Sequence, residues 1–142
     1  MSETSKPTHY KDLLVWQRGM SLAKSIYMLT QEFPAEERFG LTSQIRRAAV
    51  SVPSNIAEGQ ARRSTREFLQ FLSHADGSLA ELETQLLLAS QLAFIQQSEV
   101  NPILQEIQEV QKMLTGLRRR LSVGSPLATR HSPLQTKVMG QA

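Results

Sequence analysis

The sequence predicts an all-α protein, an antiparallel up-down four-helix bundle, and three observations carry that expectation. Apolar residues recur at steps of three and four through four long segments, no segment shows the period-two alternation of a strand, and the connections are short. With 142 residues, 40% hydrophobic and 20% charged, the chain suffices for one domain with one core. The divisions read as a flexible N-terminal lead-in over 1–11, the bundle over 12–122 and a disordered tail over 123–142. In that tail the periodicity stops, and Gly124, Pro126, Pro133 and Gly140 stand among polar residues.

The first helix reads from Leu13 to Phe33. Val15, Gly19, Leu22, Ile26, Leu29 and Phe33 fall on one face, and Trp16, Met20, Ala23 and Tyr27 form a second apolar row. Two rows exceed what one packing seam requires, so this helix is expected to touch two neighbours, one of them in another subunit. Phe33-Pro34 stops it, because the residue before proline avoids helical angles.

The second helix runs from Gly40 to Arg62, with Leu41, Ile45, Ala49, Val52 and Ile56 as its core stripe. It is expected to kink at Pro53, whose ring clashes with the carbonyl of Ala49 and removes a donor at about 3 kcal/mol in a free helix. Ser64-Thr65-Arg66-Glu67 is a capping box that opens the third helix. Phe68, Leu72, Ala75, Leu79, Leu82, Leu86, Ala89 and Ala93 then hold an unbroken four-three repeat. The fourth helix follows Gln96-Gln97-Ser98 and repeats the pattern in Val100, Ile103, Ile107, Val110, Leu114, Leu117 and Leu121.

The net charge of +3 says little, whereas its distribution says more. Six arginines lie between Arg38 and Arg66 against one acid, Glu58, while Glu67 to Gln111 holds seven acids and neither lysine nor arginine. In an up-down bundle, Arg62, Arg63, Arg66, Arg118, Arg119 and Arg120 meet at one pole, together with Lys6 and Lys11. Glu32, Glu36, Glu37 and Glu99 meet at the other. Cations at the end of the fourth helix complement its dipole; those opening the third oppose the dipole and call for another reason.

Several chemistries are disfavoured. Without cysteine there is no disulfide, thiol nucleophile or cysteine-bound zinc. A di-iron bundle site needs Glu-x-x-His steps, but the position three before His74 is Phe71; His9 and His131 lie in the flanks. There is no glycine-rich phosphate loop. The expectation is a protein without metal or cofactor that is not an enzyme. No apolar run reaches the roughly 18 residues of a membrane span, and the first residues lack a secretory core, which predicts a cytoplasmic protein. Arg46, Arg47, Ser51, Asn55 and Glu58 share polar faces of the second helix. One reading is an internal network in which Arg46 or Arg47 pairs with a carboxylate and Asn55 holds carbonyls freed near the kink; the other is a ligand or nucleic-acid contact.

Leu13-Leu14-Val15-Trp16-Gln17, Tyr27-Met28-Leu29-Thr30, Phe33-Pro34, Phe39-Gly40-Leu41, Gln44-Ile45-Arg46-Arg47-Ala48, Ser54-Asn55-Ile56-Ala57-Glu58-Gly59 and Gly77-Ser78-Leu79-Ala80-Glu81-Leu82-Glu83 stand in order along the chain. Together, over residues 10 to 121, they resemble the bacterial four-helix-bundle family encoded in 23S ribosomal RNA intervening sequences. The resemblance implies a closed bundle that assembles as a homopentamer and binds nucleic acid. The chain is also similar in fold to the accessory variability protein of diversity-generating retroelements. Arg46, Arg47, Asn55, Glu58, Gly59 and Arg62 match the family's most characteristic run, and the resemblance supplies no catalytic residue.

Two functions follow as expectations. The first is a non-catalytic homo-oligomer that binds nucleic acid, RNA before DNA, through the arginine pole, with symmetry multiplying a modest charge into avidity. The alternative is an interaction scaffold that docks a partner enzyme such as a reverse transcriptase. Eight aromatics, mostly at core spacing, do not suggest base-stacking readout.

Overall fold

The computed structural model describes residues 9–123. Its helices are α1 (Leu14–Leu29), α2 (Leu41–Gln60), α3 (Thr65–Gln91) and α4 (Gln97–Val123). Each packs on two neighbours, in the cyclic order α1, α2, α3, α4. Cross-links fix the antiparallel sense: the hydroxyls of Ser51 and Ser78 lie 2.7 Å apart between α2 and α3, and Ser90 donates to Gln97 at 3.0 Å where α3 turns into α4. No strand occurs among the described residues.

The four seams close on one core. Leu22 and Ile26 of α1, Ile45, Val52 and Ile56 of α2, Leu72, Leu79, Leu82 and Leu86 of α3, and Ile107 and Leu114 of α4 are fully buried. Burying each such side chain contributes roughly 1.5–3 kcal/mol relative to leaving it exposed.

Helix boundaries follow local chemistry. The Ser64 hydroxyl accepts the Glu67 amide at 3.1 Å and opens α3, and the Glu99 carboxylate accepts the Gln96 amide at 3.1 Å ahead of α4. α1 is shorter than its sequence repeat: it ends at Leu29, and Thr30–Glu32 tighten into a 3-10 turn. The Thr30 hydroxyl donates to the Ile26 carbonyl at 2.8 Å, adding a second donor to the acceptor that the Thr30 amide already reaches at the helix end. Ala93 is not on the α3 seam. It takes a left-handed conformation with φ 64° just past the helix, while the Phe94 amide reaches back to the Ala89 carbonyl at 2.9 Å.

α2 runs through Pro53 as one helix. Pro53 is buried, and its ring packs where Gly19 of α1 leaves room: a Cβ built on Gly19 meets the Pro53 Cβ at 3.5 Å. The α1–α2 approach therefore offsets part of what the proline costs α2. At the lower end, Tyr10–Asp12 form a 3-10 turn, and the Tyr10 ring meets Trp16 edge-on at 5.2 Å between centroids. The tail expected over 123–142 lies, beyond Val123, outside the described residues, as does Lys6.

Candidate nucleic-acid interface

The end of α2, the start of α3 and the end of α4 share one pole, yet the six expected arginines form two tiers there rather than one cluster. Arg62, Arg63 and Arg66 sit around the α2–α3 turn, all exposed. Arg118 pairs instead with Asp76 at 3.2 Å. Asp76 lies ten residues beyond Arg66 on α3, on the order of 15 Å up the helix axis at 1.5 Å per residue. α4 thus stops short of the α2–α3 turn, a difference in helix register that apolar periodicity does not encode.

The arginines also differ in what holds them. Arg62 lies over the Phe71 ring at 4.6 Å and approaches Glu58 at 3.8 Å. Arg118 and Asp76 are each about one-third exposed, so that cation is largely answered within the fold. Among the described residues, no carboxylate lies within ion-pair distance of Arg63, Arg66, Arg119 or Arg120. With the exposed Arg62 and Lys11, these four are cations the pole presents to solvent.

The polar set expected on α2 resolves into separate parts. Among the described residues, Arg46 pairs with no carboxylate. Its Nε donates to the Thr30 hydroxyl at 2.8 Å, its Nη2 to the Tyr27 carbonyl at 3.3 Å, and its guanidinium lies 4.5 Å from the centre of the Tyr27 ring. It fastens the C-terminal end of α1 to α2. Arg47, about 100° further round the helix, is exposed, and among the described residues Glu58 pairs with Arg62.

Asn55 Nδ2 donates to the Ser51 carbonyl at 2.8 Å and to the Ser51 hydroxyl at 2.9 Å. The carbonyl it takes is Ser51's, not that of Ala49, the one the Pro53 ring displaces. The Ser51 hydroxyl continues to Ser78, making a three-residue polar bridge between α2 and α3. Ser78 was legible as part of a motif, but its role needed the helix register. Replacing Asn55 by leucine is expected to lower unfolding stability by about 1–2 kcal/mol, read by urea titration; an unchanged midpoint would show the bridge contributes nothing.

The opposite pole carries Glu36, Glu37 and Glu99, so the bundle is polarised along its axis. Between α1 and α4, Arg18 meets Glu109 at 2.8 Å, and the Ser25 hydroxyl donates to Glu106 at 3.3 Å. Burial raises the Glu106 carboxyl above its ordinary range; the Ser25 hydrogen bond opposes the rise and the Glu109 charge adds to it. Among the described residues, no group of three His, Asp or Glu could hold a metal ion, and no helix is long and apolar enough to cross a membrane.

In the second apolar row of α1, Ala23 is buried and Trp16 half-buried, while Met20 and Tyr27 are exposed. Trp16, Met20 and Tyr27, with Tyr10, Val50 and Pro53, line an open groove of ≈ 450 Å³ between α1 and α2. Met20 is 48% exposed and Tyr27 43%.

The sequence profile of the family described as 23S rRNA-intervening sequence protein matches residues 11–116, nearly the whole bundle. The chain belongs to that family. Among solved structures, a Bacteroides thetaiotaomicron protein described as of unknown function, from the S23 ribosomal protein family, superposes with a TM-score of 0.69 at 24% identity. The match covers 74% of this chain and 98% of that one. At that identity the likeness establishes the fold alone. No curated protein matches the chain. The 23S rRNA-intervening sequence family thus accounts for the four-helix architecture, and the described part of the fold, residues 9–123, extends a little beyond the matched span at both ends.

Proposed function

We propose that this protein is a non-catalytic, cytoplasmic homo-oligomer, a pentamer, that binds nucleic acid, RNA in preference to DNA, through its arginine pole. The observation that carries the reading is the set of four exposed cations, Arg63, Arg66, Arg119 and Arg120, that have no carboxylate partner among the described residues, at one end of a polarised bundle. Two of them stand at the start of α3, where the helix dipole disfavours positive charge. Folding gives no reason to place them there, and a phosphate backbone does.

Such contacts are sequence-tolerant and release counterions, so affinity falls steeply with salt. Repetition around an oligomer turns a few phosphate contacts per subunit into avidity. Aromatic stacking does not enter: Trp16 and Tyr27 line the apolar groove between α1 and α2, not the α2–α3 turn that carries Arg63 and Arg66.

The test is fluorescence anisotropy of labelled structured RNA and duplex DNA at two salt concentrations, with wild-type protein and a variant in which Arg62, Arg63 and Arg66 are all glutamine. The variant is expected to stay folded, because all three side chains are exposed, to bind RNA at least ten-fold more weakly, and to show a shallower salt dependence. Equal binding by a folded variant would remove the pole from the interface. A second reading, an interaction scaffold docking a partner enzyme, draws on the uncovered groove; it expects salt-insensitive capture of that partner and no RNA affinity.

A further inference from the structure

Two surfaces outside the arginine pole are apolar, exposed and of opposite charge character. The first is the α1–α2 groove with Met20, Tyr27 and Val50. Its helices carry cations and almost no acid: the chain has no carboxylate from Leu13 to Gln31 and none from Arg38 to Ala57, while Arg18, Lys24, Arg46 and Arg47 fall within those spans. Lys24 itself lines the groove.

The second surface is the outer edge of α3 towards the acidic pole. Glu81, Leu88 and Leu92 follow at steps of seven and four, so they share a stripe. Leu88 is 44% exposed and Leu92 51%. Beyond Arg66 the chain has no cation until Lys112. Phe39, 88% exposed, belongs to the same end, since the Ser51–Ser78 register sets Leu88 opposite Leu41 at the start of α2.

The inter-helix registers put these surfaces at matching heights. Gly19 faces Pro53 across α1–α2, and Ser51 faces Ser78 across α2–α3. Followed antiparallel through both pairs, Lys24 is level with Ala48, and Ala48 with Glu81. Two copies standing side by side with parallel axes therefore bring a lysine and a glutamate to the same level, each beside exposed apolar side chains.

We infer that copies of this chain join head to tail, the Met20–Lys24–Tyr27 stripe of one seated against the Glu81–Leu88 edge of the next. The inference rests on the self-assembly part of the reading above and names its interface. The contact is heterologous, using different patches on the two partners. The patches lie on adjacent sides of a four-sided bundle, so their directions meet at roughly a right angle, and repetition closes a small ring instead of extending a filament. Such an arrangement covers the groove, satisfies the charge asymmetry between α1–α2 and α3, and leaves the arginine poles aligned on one side of the ring.

The experiment uses two full-length variants, one with Met20→Glu and Val50→Glu, the other with Leu88→Glu and Leu92→Glu. All four positions are exposed in the single chain; circular dichroism confirms that each variant is folded. Light scattering behind size exclusion is expected to give a multi-subunit mass for the wild type and a one-chain mass for each variant. An equimolar mixture is expected to give the two-chain mass, because one intact contact remains between unlike variants and neither can extend it. An oligomeric wild type whose folded variants stay oligomeric, or whose mixture stays at one chain, overturns this interface and leaves self-assembly standing. A monomeric wild type overturns both.

Discussion

Replacing Leu79 by alanine is expected to lower the unfolding free energy by about 2–5 kcal/mol, the range for emptying a fully buried leucine site. Leu79 is at the middle of the α3 seam with no solvent exposure. α3 packs on both α2 and α4, and a void there removes contacts that no surface side chain can restore. For a bundle of this size each kcal/mol shifts the melting temperature by roughly 4 °C, so a drop on the order of 8–20 °C is expected at fixed protein concentration. Leu87→Ala, on the exposed side of the same helix, is the control: at 39% exposure it is expected to change stability by less than about 1 kcal/mol. Comparable losses at the two positions would mean that the α3 seam is not the one assigned. RNA affinity measured well below the transition should be unaffected by Leu79→Ala, because the arginines of the pole are surface groups.

The fold was legible because a bundle writes its core into the sequence at a period no other element shares. Every seam position read on α3 from Phe68 to Ala89 is buried, as are Ile45, Ala49, Val52 and Ile56 on α2. On α3 the exception is Ala93, which lies beyond the helix end. Alanine is small enough to continue an apolar repeat and to tolerate a left-handed cap, so periodicity cannot separate the two. Phe33 misled in another way: it is buried, but from beyond the helix end, where its ring meets Phe94 at 5.8 Å.

The candidate site was less legible, since it depends on how helices slide against one another. The sequence places Arg62, Arg66 and Arg118 near one pole, yet the Arg118–Asp76 pair lifts α4 relative to α3 and splits the cations into tiers. One reading gave Arg46 or Arg47 a carboxylate partner; Arg46 instead meets a hydroxyl and a backbone carbonyl. Carboxylates are absent near it in sequence, and its actual partners, Thr30 and Tyr27, belong to the turn that ends α1 and to α1 itself. The exposure of Phe39 and Leu88 left no periodic signature, because a residue on an unpartnered face obeys the same spacing as one in solvent. The second row of α1 did leave one, and it became the groove.

Gly59 is expected to resist even the smallest enlargement. A Cβ built there stands 2.7 Å from the Phe71 Cβ, 3.0 Å from Phe68 Cδ1 and 3.3 Å from the Phe68 carbonyl. Two of these neighbours are anchored to the α3 backbone, so relief requires α2 and α3 to separate at the turn that carries Arg62, Arg63 and Arg66. Overpacking of this kind costs about 1–3 kcal/mol, against which alanine regains up to about 1 kcal/mol of helix propensity. Gly59→Ala should therefore be net destabilising in a urea titration. Gly19→Ala supplies the contrast. Its added methyl meets Pro53 at ordinary contact distance, 3.5 Å, so the propensity gain goes unopposed and stability is expected to hold or rise by up to about 1 kcal/mol. If both substitutions stabilise, the α2–α3 approach is looser than 2.7 Å implies and the geometry assigned to the arginine turn is wrong. If Gly59→Ala alone destabilises and also weakens RNA binding, the spacing of the two helices sets the spacing of the phosphate contacts, and packing and function meet at a single glycine.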